Sequence, residues 1–416
     1  MLATTLHKKT VVAIQNVVLA GSGNAGYDNG TGIFASFSTS ASNIAVAGNN
    51  VIYVADSGNN AIRAVTPLGV VTTFAGSLSG TAGSNNATGT SATFNAPNDL
   101  SIDSNNNIYV ADSGNSLVRK ITPSAVVSTL FSVMNVRNVY VSPDGSNIVA
   151  VQGDYPGSND TYGPLHLYIA GAYVGMIDPD PSTHIFDTFP VPIAATGAVI
   201  LSGASPNIFY TTKSGDLADL YKATPVSLDA KTWTISNIVS FSNQGGGTYT
   251  FRIDTTNGGS DTPASFYPGQ RVDILGYSQA DQNLTSVLIT NKTSSNVSCS
   301  YTFSYDPTAS NWTATTQYIR TYVETVTWAR GSVTGGSSNG GYMSNLKLNS
   351  NATLGSGIVS GAVVGYTFSA VSAALSSNGQ TSDVSTAVSH VTRVATDPID
   401  VLYMNTPALY KYRSTY

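Results

Sequence analysis

The string Tyr-Val-Ala-Asp-Ser-Gly-Asn occurs twice in this chain, at 53–59 and again at 109–115. The match continues on both sides at an offset of 56 residues: Ile52 with Ile108, Arg63 with Arg119, Thr66-Pro67 with Thr122-Pro123, and Val70-Val71 with Val126-Val127. A unit of this length cannot bury its own apolar face and must stack on further copies of itself. The repeat therefore constrains architecture strongly. It says much less about chemistry, because repeated sheets carry many unrelated functions.

Within the first unit, apolar and polar residues alternate between turn signals. Residues 43–46 are followed by a Gly48-Asn49-Asn50 turn, 51–55 by a turn at 56–60, 61–65 by Thr66-Pro67-Leu68-Gly69, and 70–75 complete the unit. Four short antiparallel strands per unit is the blade of a β-propeller, and residues 98–130 repeat the scheme. Composition agrees with an all-β chain. Only 10% of the 416 residues are charged, which leaves few of the Glu, Lys and Arg that cover exposed helices.

The charge balance excludes one class of partner. Eighteen basic against 23 acidic side chains give a net charge of −5, which offers no electrostatic footprint for nucleic acid. An exterior of hydroxyls and amides suits packing against neighbours. The single cysteine, Cys299, rules out an internal disulfide framework and a Cys-based zinc site. After Lys8-Lys9, the apolar run 10–14 stops at Gln15-Asn16, too short for a signal peptide, and no run approaches the ~20 apolar residues of a membrane span. The expectation is a soluble chain made in the cytosol and not inserted in a membrane. Eight Asn-x-Ser/Thr sequons, from Asn29 to Asn351, are about what a Ser-, Thr- and Asn-rich composition supplies.

The residues Tyr53-Val54-Ala55-Asp56, Asn59-Asn60 and Ile62-Arg63, and again Tyr109 to Asp112, Asn115 and Val118-Arg119-Lys120-Ile121, resemble the NHL-repeat family of β-propellers. The connecting segments Ala20-Gly21-Ser22-Gly23 with Phe37, and Ala75-Gly76-Ser77 with Phe94 and Pro97, are similar to the family as well. The resemblance covers about residues 17–130. Degenerate blades are expected at 138–169 and 199–222, a fifth within 342–374, and a last one in 391–411 that lacks its fourth strand. The amino-terminal segment 11–20 stands before Gly21-Ser22-Gly23 as 70–75 stands before Gly76-Ser77, so it is expected to supply the missing strand and close the ring. The sequence thus predicts about six blades. Residues 241–327 lack the blade signature. They are expected to form an inserted small β-barrel or sandwich, similar to modules of phage and virus structural proteins, dividing the propeller into 1–240 and 328–416.

No catalytic constellation is legible. His7, His166, His184 and His390 show no metal-ligand spacing. Asp178 and Asp180, with Asp187 nearby, are the only candidate metal ligands, and turn formation in a Pro-rich loop is the favoured reading of them. The recurring Asp56 and Asp112 are expected to accept backbone N–H bonds in their turns. Arg63, Arg119 and Lys120 are too few for the basic face by which some NHL-repeat relatives bind RNA. Tyr53, Tyr109 and Tyr403 read as packing residues, whereas Tyr267, Tyr277, Tyr301 and Tyr305 of the insertion are the candidate interaction residues. The expectation is a non-enzymatic structural or interaction protein without cofactor, a subunit of a virion or another extracellular particle. Its partners would be further copies, other coat proteins or surface glycans. The alternatives are a glycan-binding module and an enzyme resembling metal-dependent propeller lactonases or lyases.

Overall fold

The computed structural model describes residues 15–153, 165–177, 195–200, 208–212, 220–255, 271–292, 296–310, 312, 317–330, 333–334, 343–348, 354–359, 362–369, 374–381, 390–391, 400–405 and 407–413. The described regular structure is all-β, with short 3-10 turns and no α-helix.

The chain opens with β1 (Gln15–Ala20) and the short β2 (Gly30–Thr31). The first repeat unit is an antiparallel meander of β3 (Ala41–Val46), β4 (Ile52–Asp56), β5 (Ala61–Val65) and β6 (Val70–Ala75), with β2 on its outer edge. The second is β7 (Pro97–Ile102), β8 (Ile108–Asp112), β9 (Leu117–Ile121) and β10 (Val127–Ser132). A third meander follows as β11 (Val136–Val141), β12 (Asn147–Gln152), β13 (Leu165–Ile169) and β14 (Ala172–Ile177).

Next come β15 (Ala195–Ile200), β16 (Ile208–Thr212) and the long β17 (Leu220–Gly245). Then follow β18 (Thr248–Thr255), β19 (Arg271–Leu275), β20 (Leu284–Lys292), β21 (Asn296–Thr302) and β22 (Tyr318–Arg330). The short β23 (Val333–Thr334) precedes a meander of β24 (Met343–Leu348), β25 (Leu354–Val359), β26 (Ala362–Ser369) and β27 (Ala374–Thr381), where the fifth blade was expected. The last strands are β28 (His390–Val391), β29 (Asp400–Asn405) and β30 (Ala408–Arg413).

Two features tie the ends together. β1 pairs antiparallel with β30, Gln15 opposite Arg413, so the amino-terminal strand completes the sheet β1-β30-β29-β28. The first strands of the sheets also touch in succession: β3 packs on β7, β7 on β11, β11 on β15, β15 on β24, β24 on β28, and β28 on β3. The succession of neighbours returns to its start. β1 is the structural equivalent of β6, and two glycines show it. A Cβ on Gly76 (φ +112°) would lie 2.8 Å from Ala61 Cα, and one on Gly21 (φ +108°) would lie 2.7 Å from Ala408 Cα. Both glycines let the connecting segment cross a β-turn at backbone contact, where no larger residue fits.

The central strands depart from the expected alternation. Every residue of β4 and of β8 is buried, because sheets stacked face to face cover both sides of a middle strand. Tyr53, Ala55, Ile62 and Ala75 of the first sheet share one core with Leu100, Ile108, Val110 and Ile121 of the second and with Phe94 of the segment between them. Phe37 and Phe94, from the connecting segments, are fully buried. Deleting such a ring costs about 3–5 kcal/mol.

The region expected to be an insertion has a core of its own, including Phe251, Ile274, Val287, Cys299, Phe303 and Trp312. Its expected edges at 241 and 327 fall inside continuous strands. β17 and β22 pair from Tyr221↔Arg330 to Thr234↔Tyr318, so one two-stranded ribbon runs from β16 into this core. β22 also meets β14 at Met176↔Val323, and Arg271 donates to the carbonyl of Ser132 at 3.1 Å. Close by lies His166, fully buried, with Nε2 2.9 Å from the Gln152 Oε1 acceptor. Desolvation, reinforced by the positive Arg271, holds the imidazole down to about 3. A depressed histidine means that the unfolded chain takes up the proton first. Its contribution to stability is complete above the unfolded value of about 6.5 and falls as the pH drops from there toward 3. The expected outcome is a loss of up to about 1.4 kcal/mol per pH unit between pH 6.5 and 5. Urea unfolding at several pH values measures it, with a His166→Gln variant losing less over that window.

Candidate functional site

The recurring Asp and Arg come together as one buried cage in each of the first two units. Arg63 Nη1 donates to Asp56 Oδ2 at 3.0 Å, with both side chains fully buried. The same guanidinium reaches Ser36 O, Asp28 O and Asn29 Oδ1. It lies 4.8 Å from the Tyr27 ring centroid and 5.5 Å from that of Phe37. Arg119 reproduces this arrangement with Asp112 Oδ2 at 2.8 Å, Thr93 O, Asn85 O, Asn86 Oδ1 and the Phe94 ring. The other oxygen of each carboxylate accepts a backbone N–H, from Ser38 for Asp56 and from Asn95 for Asp112.

This corrects the sequence expectation in one respect. The backbone donors belong to the segment that enters the unit, whereas the carboxylate's own turn contributes side-chain donors, Asn59 Nδ2 and Asn115 Nδ2. Burial pushes the Asp112 carboxyl above the usual carboxylate range, against the lowering pull of Asn95 N–H, Asn115 and Arg119. The Asp and Arg side chains themselves are fully buried while the rim residues Asp28, Asn29, Asn85 and Asn86 are exposed, so the ionic groups bind chain segments to one another.

A second polar constellation was not found by sequence reasoning. Asp99, buried on β7, accepts from Asn43 Nδ2 of β3, and from Asn138 Nδ2 at 3.3 Å and Val139 N at 3.0 Å on β11. One carboxylate thus joins the first strands of three successive sheets. The signal was present in the equivalence of Asn43 and Asp99 at the repeat offset, though Asn138 lies outside the clear repeat. Among the described residues, no group of three or more His, Cys, Asp or Glu could hold a metal ion. Asp178, Asp180 and Asp187 lie outside the described residues, as does Tyr267.

The tyrosines expected to serve interaction in 241–327 divide. Tyr277 is buried, its ring 5.3 Å from Trp312 and its hydroxyl donating to the Trp312 carbonyl. Tyr301 and Tyr305 are half-buried, standing edge-on to Phe303 at 5.0 and 5.6 Å. Tyr305 also donates to the carbonyl of the exposed Asp281. In the blades, Tyr53 and Tyr109 are buried.

Three of the most exposed large apolar side chains gather elsewhere, with Leu78 at 63% exposure standing apart in the next connecting segment. Gly32 N donates to Gly69 O at 2.9 Å, and around that contact stand Ile33 at 62%, Phe34 at 79% and Leu68 at 85% exposure, with Val70 beside them. The second unit makes the same backbone bond, Gly89 N to Ala125 O at 2.8 Å. There the corresponding residues are Thr90, Ser91 and Ser124. The backbone bond is shared and three large apolar residues are replaced by small polar ones, while Val126, the counterpart of Val70, stays apolar and is 44% exposed.

A family model for the NHL repeat matches residues 94–121. No curated protein matches the chain. Among solved structures, a protein of unknown function from Bacteroides thetaiotaomicron is similar at 9% identity and a TM-score of 0.47, over 96% of this chain and 76% of that one. A streptogramin B lyase is similar at 9% identity and 0.43, over 96% and 98%. Virginiamycin B lyase from Staphylococcus aureus is similar at 9% identity and 0.41, over 97% and 99%.

Because Arg119 sits among four acceptors, Arg119→Met would strand the Asp112 charge and is expected to cost about 3–5 kcal/mol. Arg119→Lys should recover only part of it, since one ammonium cannot reproduce the planar fork. Urea denaturation midpoints of the two variants decide this. Equal stability of Arg119→Met and the wild type would show the cage to be dispensable.

Proposed function

We propose that this chain is a non-enzymatic interaction scaffold: a six-bladed NHL-type propeller closed by its amino-terminal strand, carrying a small inserted β domain between β17 and β22. The observation that carries the reading is the apolar surface of Ile33, Phe34 and Leu68, placed where the twin unit is polar. The strongest ionic pairs of the clear blades are turned inward, which leaves an exterior of low charge suited to packing against other subunits. A virion or another extracellular particle is the setting favoured by that composition and by the insertion's resemblance to phage structural modules. Electron microscopy and light scattering of the native protein test the reading. Ordered oligomers or particles are expected. A chain that remains monomeric, both alone and mixed with the other proteins of its source, overturns it.

Glycan binding is a second reading, favoured by Tyr301 and Tyr305. Their rings are set edge-on to Phe303, with the exposed Asp281 beside Tyr305, an arrangement that suits stacking and hydrogen bonding to a sugar. It predicts saturable binding of a free oligosaccharide that Tyr301→Ala weakens while the fold persists. Binding unchanged in that variant would remove the tyrosines from the site.

A further inference from the structure

We propose that Arg271 and His166 form an acid-released latch: at neutral pH it holds the core built around Phe251, Ile274 and Trp312 against the second and third sheets, and it opens when His166 takes up a proton.

This core has an apolar interior of its own, from Ile235 to Ile319, and two kinds of attachment. One is a stem, the paired β17 and β22, which leads to β16. The other is a seam. Across it β22 meets β14 at the single register pair Met176↔Val323, and Arg271 of β19 reaches over. Its Nη1 stays within the core, donating to Ser286 O at 2.7 Å. Its Nη2 donates to the carbonyl of Ser132, the last residue of β10, at 3.1 Å and to the Ser132 hydroxyl. The charge of the same guanidinium is felt by the buried Tyr168 of β13, whose ring is stacked on Phe131 of β10. One side chain thus ties β19 to the outer strand of the second sheet and stands beside the third. A body with its own core on a two-stranded stem can keep its fold when that side chain withdraws.

The imidazole of His166 lies fully buried at this place. Gln152 Oε1 can only accept, so Nε2 carries the hydrogen and an added proton must enter at Nδ1. That proton would set a second positive charge in the interior near Arg271, the charge that acts on the imidazole among the described residues. The other neighbours offer no relief. Gln152 of β12 and Met176, the register partner on β14, are neutral. Tyr168 and Tyr109, in the core between the second and third sheets, are phenols that burial shifts upward, and both are neutral in acid. The carboxylate of β19, Asp273, is engaged by Arg320 and by Ser286 N. The docked form therefore keeps His166 neutral down to about 3, whereas an imidazole reached by water returns toward its ordinary value of about 6.5. The released form binds the extra proton, so acid favours release. The ratio of released to docked chains is expected to rise up to about ten-fold per pH unit below 6.5.

All three tryptophans, Trp233, Trp312 and Trp328, lie in this core or its stem. A thiol-reactive dansyl probe on Ser128→Cys, an exposed position of β10, accepts their excitation, and the fully buried Cys299 is shielded from labelling. Transfer in the full chain is expected to fall between pH 6.5 and 4, while amide exchange in β4 and β8, corrected for its intrinsic pH dependence, stays slow. His166→Gln on the same background should keep its transfer at pH 4. Arg271→Met should show the reduced transfer already at pH 7.5. Transfer that holds to pH 4 in the parent chain overturns the latch, and so does an equal fall in His166→Gln. A fall that coincides with loss of protection in β4 and β8 means global unfolding and overturns it as well. Should Arg271→Met fail to fold, the His166→Gln comparison alone decides.

Discussion

The buried pairing of Asp56 with Arg63, and of Asp112 with Arg119, holds the repeated units in register. Each carboxylate binds three kinds of segment at once: the backbone entering the unit, the turn after the second strand, and the arginine of the third. Each guanidinium then reaches into the preceding connecting segment, taking carbonyls of Asp28 and Ser36, or of Asn85 and Thr93. Connecting segments of this length would otherwise be loose. A fully desolvated ion pair is a poor source of net stability, but removing one member strands a charge in the interior. Its worth lies in specifying a single arrangement. Phe37 and Phe94 can be buried between sheets only because the segments that carry them are held this way.

Directing ionic groups inward has a consequence for the exterior. With charges at 10% of the chain and the Asp–Arg pairs of the first two units internal, the exterior of those units carries little charge. Differences between otherwise identical units then become informative. Where twin loops share a backbone bond, a side chain that differs answers to something other than the fold.

Several elements were legible because their cause is local. The four strands of the first two units follow from alternation and turn residues, and the equivalence of β1 with β6 followed from Gly21-Ser22-Gly23 standing as Gly76-Ser77 does. The closing pair of β1 with β30 is the result. Other features escaped because their cause is not local. Asp56 was read as a turn residue, yet its backbone donor lies 18 residues upstream in the entering segment. The bounds of the expected insertion, 241 and 327, were drawn at a change of pattern, whereas β17 and β22 run through those points. Tyr277 resembles its neighbours in sequence, but its ring packs on Trp312, 35 residues onward, where only folding places it.

The sequence by itself determined the all-β class, the period of the units, the turn residues and the low content of charge, because propensity, alternation and composition act over a few residues at a time. Tertiary structure decided which polar groups are internal and which surfaces remain open. Arginine at position 63 and leucine at position 68 are five residues apart; one is fully buried and the other 85% exposed. That distinction depends on what the neighbouring sheet and the entering segment cover, and it arises only once the units have stacked.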